Sequence, residues 1–192
     1  DADMRLSPKV IEECVSRCEA DSEVFGIYIP ENIVGKGFWI KVRRFERSFY
    51  DGTVIDAVRF VPKTAFQQVE GFDLLFTGPE DWDFDKKIRG LGKTIVAEAN
   101  IEHDEGNFNF KNYLGKKSYY SKGFDLYTQK WGKNDPDILK QLNFWYRFFG
   151  VFMEKGKFIK LLGHPILTLG MYFLRFRVGL IYFLRNINNS FL

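Results

Sequence analysis

Cysteine and histidine are scarce, with two of each in 192 residues. Cys14 and Cys18 lie four apart in one helical stretch and read as small buried hydrophobes. That excludes a disulfide scaffold, and no Cys/His cluster has zinc-finger spacing. Proline is sparse at six, and no low-complexity linker or internal repeat interrupts the chain. There is also no long apolar run. The longest uncharged stretch, Leu161 to Leu174, has 14 residues and is broken by His164-Pro165. A membrane-spanning helix needs roughly 20 apolar residues, so none is encoded. Acidic side chains nearly vanish from the C-terminal part. From Ile138 to Leu192 there are eight basic residues against one acidic, Glu154, giving +7, whereas residues 1–137 carry −4. The basic residues sit in an apolar tail rather than on a polar face, which argues against nucleic-acid binding.

What the chain does have is aromatic mass, 18% of residues with 21 Phe, and alternating helix and strand signals. Ser7-Pro8 reads as the cap and first position of a helix whose face is Val10, Ile11, Cys14, Val15 and Cys18. Residues 24–29 and 94–97 read as strands, and Ala57–Val61 as a short strand leading to a helix opened by Pro62. Phe38, Val42, Phe45 and Phe49 mark an amphipathic helix with a solvated basic face of Lys41, Arg43, Arg44 and Arg47. Gly71-Phe72-Asp73 closes the helix after Pro62. Pro79 opens another, with Glu80, Asp81 and Asp83 at its positive end. His103 is expected in a loop after a strand, and one long helix is expected over about 109–131. The last third reads as two helical segments, 138–162 and 165–187. Their apolar faces and basic complement suit the surface of an anionic membrane; a bundle covering the core or a dimer interface is the plainer alternative.

Three features carry chemistry. Asp1-Ala2-Asp3 places two carboxylates i, i+2, on one side of an extended segment, where they can share a divalent ion. Hard oxygen ligands suit Mg²⁺ or Mn²⁺, which in turn hold a diphosphate. Glu80-Asp81-Trp82-Asp83 opens a helix after a Gly-Pro turn and either faces a cleft or simply stabilises the helix terminus. His103 stands among Glu102, Asp104 and Glu105, as a surface residue or as an imidazole ligand tuned by carboxylates.

In order and spacing these features resemble the C-terminal half of a GT-A-fold glycosyltransferase, most like the large inverting family 2. Asp1-Ala2-Asp3 stands for the family's Asp-x-Asp motif and Ser7-Pro8 opens the next helix. The run from Ala57 to Phe84, with Gly71-Phe72-Asp73 and Glu80-Asp81-Trp82-Asp83-Phe84, is the most specific part, and the match covers about residues 1–110. The resemblance implies an α/β fold: residues 1–135 form the metal and acceptor side of a Rossmann-like mixed sheet, and 136–192 a membrane-associated helical tail. The chain starts without Met or a leading strand, so the nucleotide-binding strands are expected upstream. The implied activity is metal-dependent transfer of a sugar, with inversion, from a nucleotide-diphosphate donor to a glycan or lipid-linked acceptor. The protein would lie peripherally on the cytoplasmic face of a membrane. Asp3, with Asp1 alongside, would hold the ion and His103 would complete its coordination. Asp81 would be the general base, Glu80 would orient the acceptor, and Trp82 would stack on a sugar or pack in the core. A non-catalytic membrane scaffold and another metal-dependent enzyme, of the nucleotidyltransferase kind, are the alternative classes.

Overall fold

The computed structural model describes residues 3–120 and 123–189, so Asp1 lies outside the described residues. The described chain is mixed α/β. Strand β1 (Met4–Leu6) is followed by helix α1 (Val10–Ala20), β2 (Val24–Tyr28), β3 (Glu31–Lys36), α2 (Phe38–Arg47), α3 (Lys63–Gln68), α4 (Glu80–Leu91), β4 (Lys93–Val96) and β5 (Ile101–Asn107). Helices α5 (Phe110–Tyr120), α6 (Phe124–Trp131) and α7 (Pro136–Gln141) follow. A π-turn over Tyr146–Gly150 then leads to α8 (Val151–Met153), a 3₁₀ turn over Glu154–Gly156, α9 (Phe158–Gly163) and α10 (Pro165–Asn189).

Two small sheets form. In the first, β5 is central, antiparallel to β1 and parallel to β3, so His103 stands beside both Met4 and Ile33. In the second, β2 and β4 run parallel. Helix α1 covers one side of β2 through Val10, Cys14, Val24, Ile27 and Ile29. Helix α4 covers the other through Tyr28, Val58, Phe84 and Ile88. The second contact is so close that a Cβ on Gly26 would stand 2.8 Å from both Ile88 and Val58 side chains. Glycine is the residue that lets this helix lie flat on the strand.

Several local expectations are corrected by tertiary context. Ser7 does not cap α1 with its side chain; the cap position is Lys9, in a left-handed conformation. Ala57–Val61 forms no ladder beyond one bridge, Phe60 to Ile27, because the Val58 amide donates instead to the carboxylate of Asp85, at 3.1 Å. Strand β3 was not foreseen: Ile33 and Val34 are its only strong strand formers, set among Glu, Asn and Gly, and pairing with central β5 holds it extended. The long helix over 109–131 is two helices. Gly123, at the start of α6, packs so tightly on α4's entry that a Cβ there would meet the Thr77 carbonyl and Pro79.

The tail is built into the body. Val151, Phe152, Met171 and Leu174 share one buried cluster with Val42 and Phe45 of α2 and with Phe49 just beyond it. Within it the buried Arg175 guanidinium lies 2.6 Å from Glu46 and from the Tyr50 hydroxyl. The basic face of α2 is likewise not a solvated face throughout. Arg43 binds Glu46 and Glu105, and Arg47 is buried against Glu31 and Asp56. Both arginines border the apolar stripe, where burial demands a carboxylate partner.

Candidate active site

His103 is fixed in β5 rather than in a loop. Its segment, Glu102-His103-Asp104-Glu105, has poor strand propensity, but ion pairs hold it extended: Glu102 to Arg5 and Glu105 to Arg43. Just before β1, Asp3 continues the pairing when its carbonyl accepts the Asp104 amide, at 2.8 Å. This brings the Asp3 carboxylate to 3.2 Å from His103 Nε2, across a hundred residues of sequence. The Asp3 side chain is about half exposed, so this edge faces solvent.

Behind the ring, Glu31 Oε1 lies 2.6 Å from His103 Nδ1. Its other oxygen, Oε2, accepts from Arg47 Nε at 3.1 Å and from Arg59 at 2.7 Å. Arg47 in turn binds buried Asp56 at 2.6 Å, and Asp56 accepts the Gly52 amide. The hydrogen bond to Glu31 holds His103 above its ordinary value against the cost of burial, helped by the charges of Glu31, Asp3 and Glu105. Burial would raise Glu31, but the His103 hydrogen bond and the charges of Arg47 and Arg59 hold it down at about 2. The result is a carboxylate kept ionised under an imidazole.

Asp81 occupies the first turn of α4 as expected, with an exposed side. Its acidity runs opposite to what the helix terminus alone favours. Desolvation of the carboxyl and the like charges of Glu80, Asp56 and Asp85 push it above the usual carboxylate range, and Arg59 only partly offsets them. Arg59 thus touches Glu31 and also acts electrostatically on Asp81. The Glu80 carboxylate accepts the Gly78 amide and closes the turn that launches α4. Trp82 is half-buried: Nε1–H donates to the Ile55 carbonyl, the ring stacks on Phe124, and Arg147 lies over it. Of its two expected roles, the surroundings match packing. Asp83 and Asp85, on the same helix, are fully buried in ion pairs with Lys87, Lys130 and Arg89.

Asp3 and His103 offer one carboxylate and one imidazole, donor types a divalent ion can use. Among the described residues no third His, Cys, Asp or Glu joins Asp3 and His103. Were an ion held there, two protein groups at a solvent-facing edge would leave positions for water and phosphate oxygens. A carboxylate on the far ring nitrogen is the usual second partner of a ligating histidine. Sequence reasoning missed Glu31, Arg47 and Arg59. The one available signal was the acid excess of residues 1–137 beside a basic helix, which hints at pairing without naming the pairs. Comparison with known proteins finds no matching family, curated protein or solved structure.

Proposed function

We propose that this chain is the metal- and acceptor-side portion of an inverting, metal-dependent glycosyltransferase of the GT-A, family 2 kind. The observation that supports it most is the meeting of Asp3 and His103 at 3.2 Å, with Glu31 behind the ring ion-paired to Arg59, whose charge also acts on Asp81. Asp3 and His103 would hold Mg²⁺ or Mn²⁺ on the diphosphate of a nucleotide-sugar donor. The ion supplies charge stabilisation for the leaving diphosphate. Asp81 takes the proton from the acceptor hydroxyl of a glycan or lipid-linked acceptor. Its raised pKa suits that work, because a base nearer neutrality accepts a proton with more driving force. Arg59 limits the rise. Glu80 orients this machinery indirectly, by closing the turn on which Asp81 sits.

The tail supports a peripheral seat on an anionic membrane. Leu162, Ile166, Leu169, Phe173, Phe176 and Leu180 recur three and four residues apart and are all exposed, while Met171, Leu174 and Arg175 face inward. No acidic residue follows Glu154. No helix among the described residues is long and apolar enough to cross a membrane.

The test is donor turnover by the full-length protein carrying this sequence. With a panel of nucleotide-diphosphate sugars and Mn²⁺, Asp3→Ala and excess chelator should each lower donor affinity and turnover together, and the product should have inverted anomeric configuration. Turnover indifferent to both treatments, or none with any donor, overturns the proposal.

A further inference from the structure

We infer that Glu31 is the positioning residue of the ion site, holding His103 so that Nε2 presents its lone pair to a divalent cation shared with Asp3. This rests on the reading above that Asp3 and His103 are the cation's protein ligands.

The geometry divides the Glu31 carboxylate between two duties. Oε2 alone serves both arginines, Arg47 and Arg59. Oε1 serves the imidazole, at 2.6 Å from Nδ1. A carboxylate present only as a counterion would not need that second contact, since Arg47 already has buried Asp56 at 2.6 Å. Nor can the carboxylate turn away. Its side chain is 8% exposed, and three partners fix its plane. With Oε1 accepting the Nδ1 proton, the ring is held in one tautomer and one orientation, and Nε2 faces Asp3. A histidine free to rotate would offer either nitrogen and lose the entropy of ordering when the ion arrives. Outer partners of this kind are worth typically 10–100-fold in metal affinity.

The probe is Mn²⁺ alone, titrated into the full-length protein, with free ion read by electron paramagnetic resonance and folding checked by circular dichroism. Asp3→Ala should abolish tight binding; if it binds like wild type, the ion lies elsewhere and the underlying reading fails. Given that loss, Glu31→Gln, which keeps the shape and removes the charge, should weaken Mn²⁺ by roughly 10–100-fold. Glu31→Asp, which keeps the charge but shortens the reach to Nδ1, should weaken it too, and it serves if the Gln variant fails to fold. In a His103→Ala background, Glu31→Gln should add little, because the ring through which it acts is gone. Wild-type affinity in both Glu31 variants, with Asp3→Ala impaired, overturns the inference and leaves the ion site standing. So does a full additional loss in the His103→Ala background, which marks Glu31 as acting on the fold at large.

Discussion

The charged cluster around Glu31 and the seam between the α2 region and the C-terminal helices are stabilised by opposite means. In the cluster, charge is turned inward. Arg47 and Arg59 converge on Glu31, Arg47 continues to Asp56, and His103 closes the row. In the seam, aromatic and aliphatic side chains do the packing: Phe49 meets Phe152 edge-on at 5.1 Å, and Trp39 stacks on Phe173 at 5.6 Å. One buried charge enters from the tail, Arg175 onto Glu46. Under the proposed function, the first region would carry the chemistry and the second the adhesion. Buried charges with fixed partners are preorganised and can hold or move a proton. An apolar helix with one face packed and the other exposed is a surface waiting for an apolar or interfacial environment.

The sharpest way to break this contrast is to remove the one charge on which the seam depends. Glu46→Ala leaves Arg175 and Arg43 facing a vacated site. Stranding a buried charge costs about 3–5 kcal/mol, so chemical denaturation should show a loss of that order. A loss below about 1 kcal/mol would mean the aromatic packing alone holds the tail.

In the cluster the corresponding experiment is pH-resolved. Glu31 is held at about 2 against an ordinary 4.5. Its contribution is therefore present above about pH 4.5 and is lost as pH falls toward 2. The shift is worth about 3 kcal/mol. His103 has the opposite sign: raised above 6.5, it contributes fully below that value and less as pH rises through its folded pKa. The stability gap between wild type and Glu31→Gln should thus be widest between about pH 4.5 and 6.5 and should close toward pH 2. A gap constant with pH removes the ionic account of the cluster.

The smallest effect on stability belongs to the outer face of α9 and α10. Serine at Leu162, Leu169 and Phe176, all more than 60% exposed, should each change stability by no more than about 0.5 kcal/mol. Together they should release the protein from anionic vesicles, and salt should weaken the wild-type binding, since polybasic attraction is screened. Deleting the tail is the wrong variant for this purpose, because Val151, Phe152, Met171 and Leu174 belong to the core. If the triple variant sediments with vesicles as wild type does, the outer face is not a membrane surface.

Much of the frame could be read in the residues, and the failures share a cause. Helices α1, α2 and α4 and strands β2 and β4 follow from periodicity, Pro79 and β-branched runs, which are local signals. Strand β3 and the strand position of His103 are not local. Both segments are rich in charge, glycine or asparagine, and they are extended because β5 pairs with β3 on one side and with β1 on the other. The site divides the same way. Asp3, Asp81 and His103 could be chosen as candidates because carboxylates and a rare histidine are conspicuous types. Glu31 and Arg59 are common types in ordinary surroundings, and only folding sets them 2.7 Å apart. The acidity of Asp81 divides the same way: the helix terminus is visible in sequence, whereas the charges of Glu80, Asp56 and Asp85 around one carboxyl are visible only in space.

The central claim of the proposed function is that an ion-holding edge at Asp3 and His103 works with a base at Asp81. The most direct measurement is sugar transfer by the full-length protein bearing Asp81→Asn, at saturating donor and Mn²⁺. Asn keeps the shape and one acceptor oxygen but takes no proton, so kcat should fall by roughly 10²–10⁴-fold while donor affinity stays near wild type. Normal turnover by Asp81→Asn would contradict the account and return the acidic cluster to the role of a helix terminus.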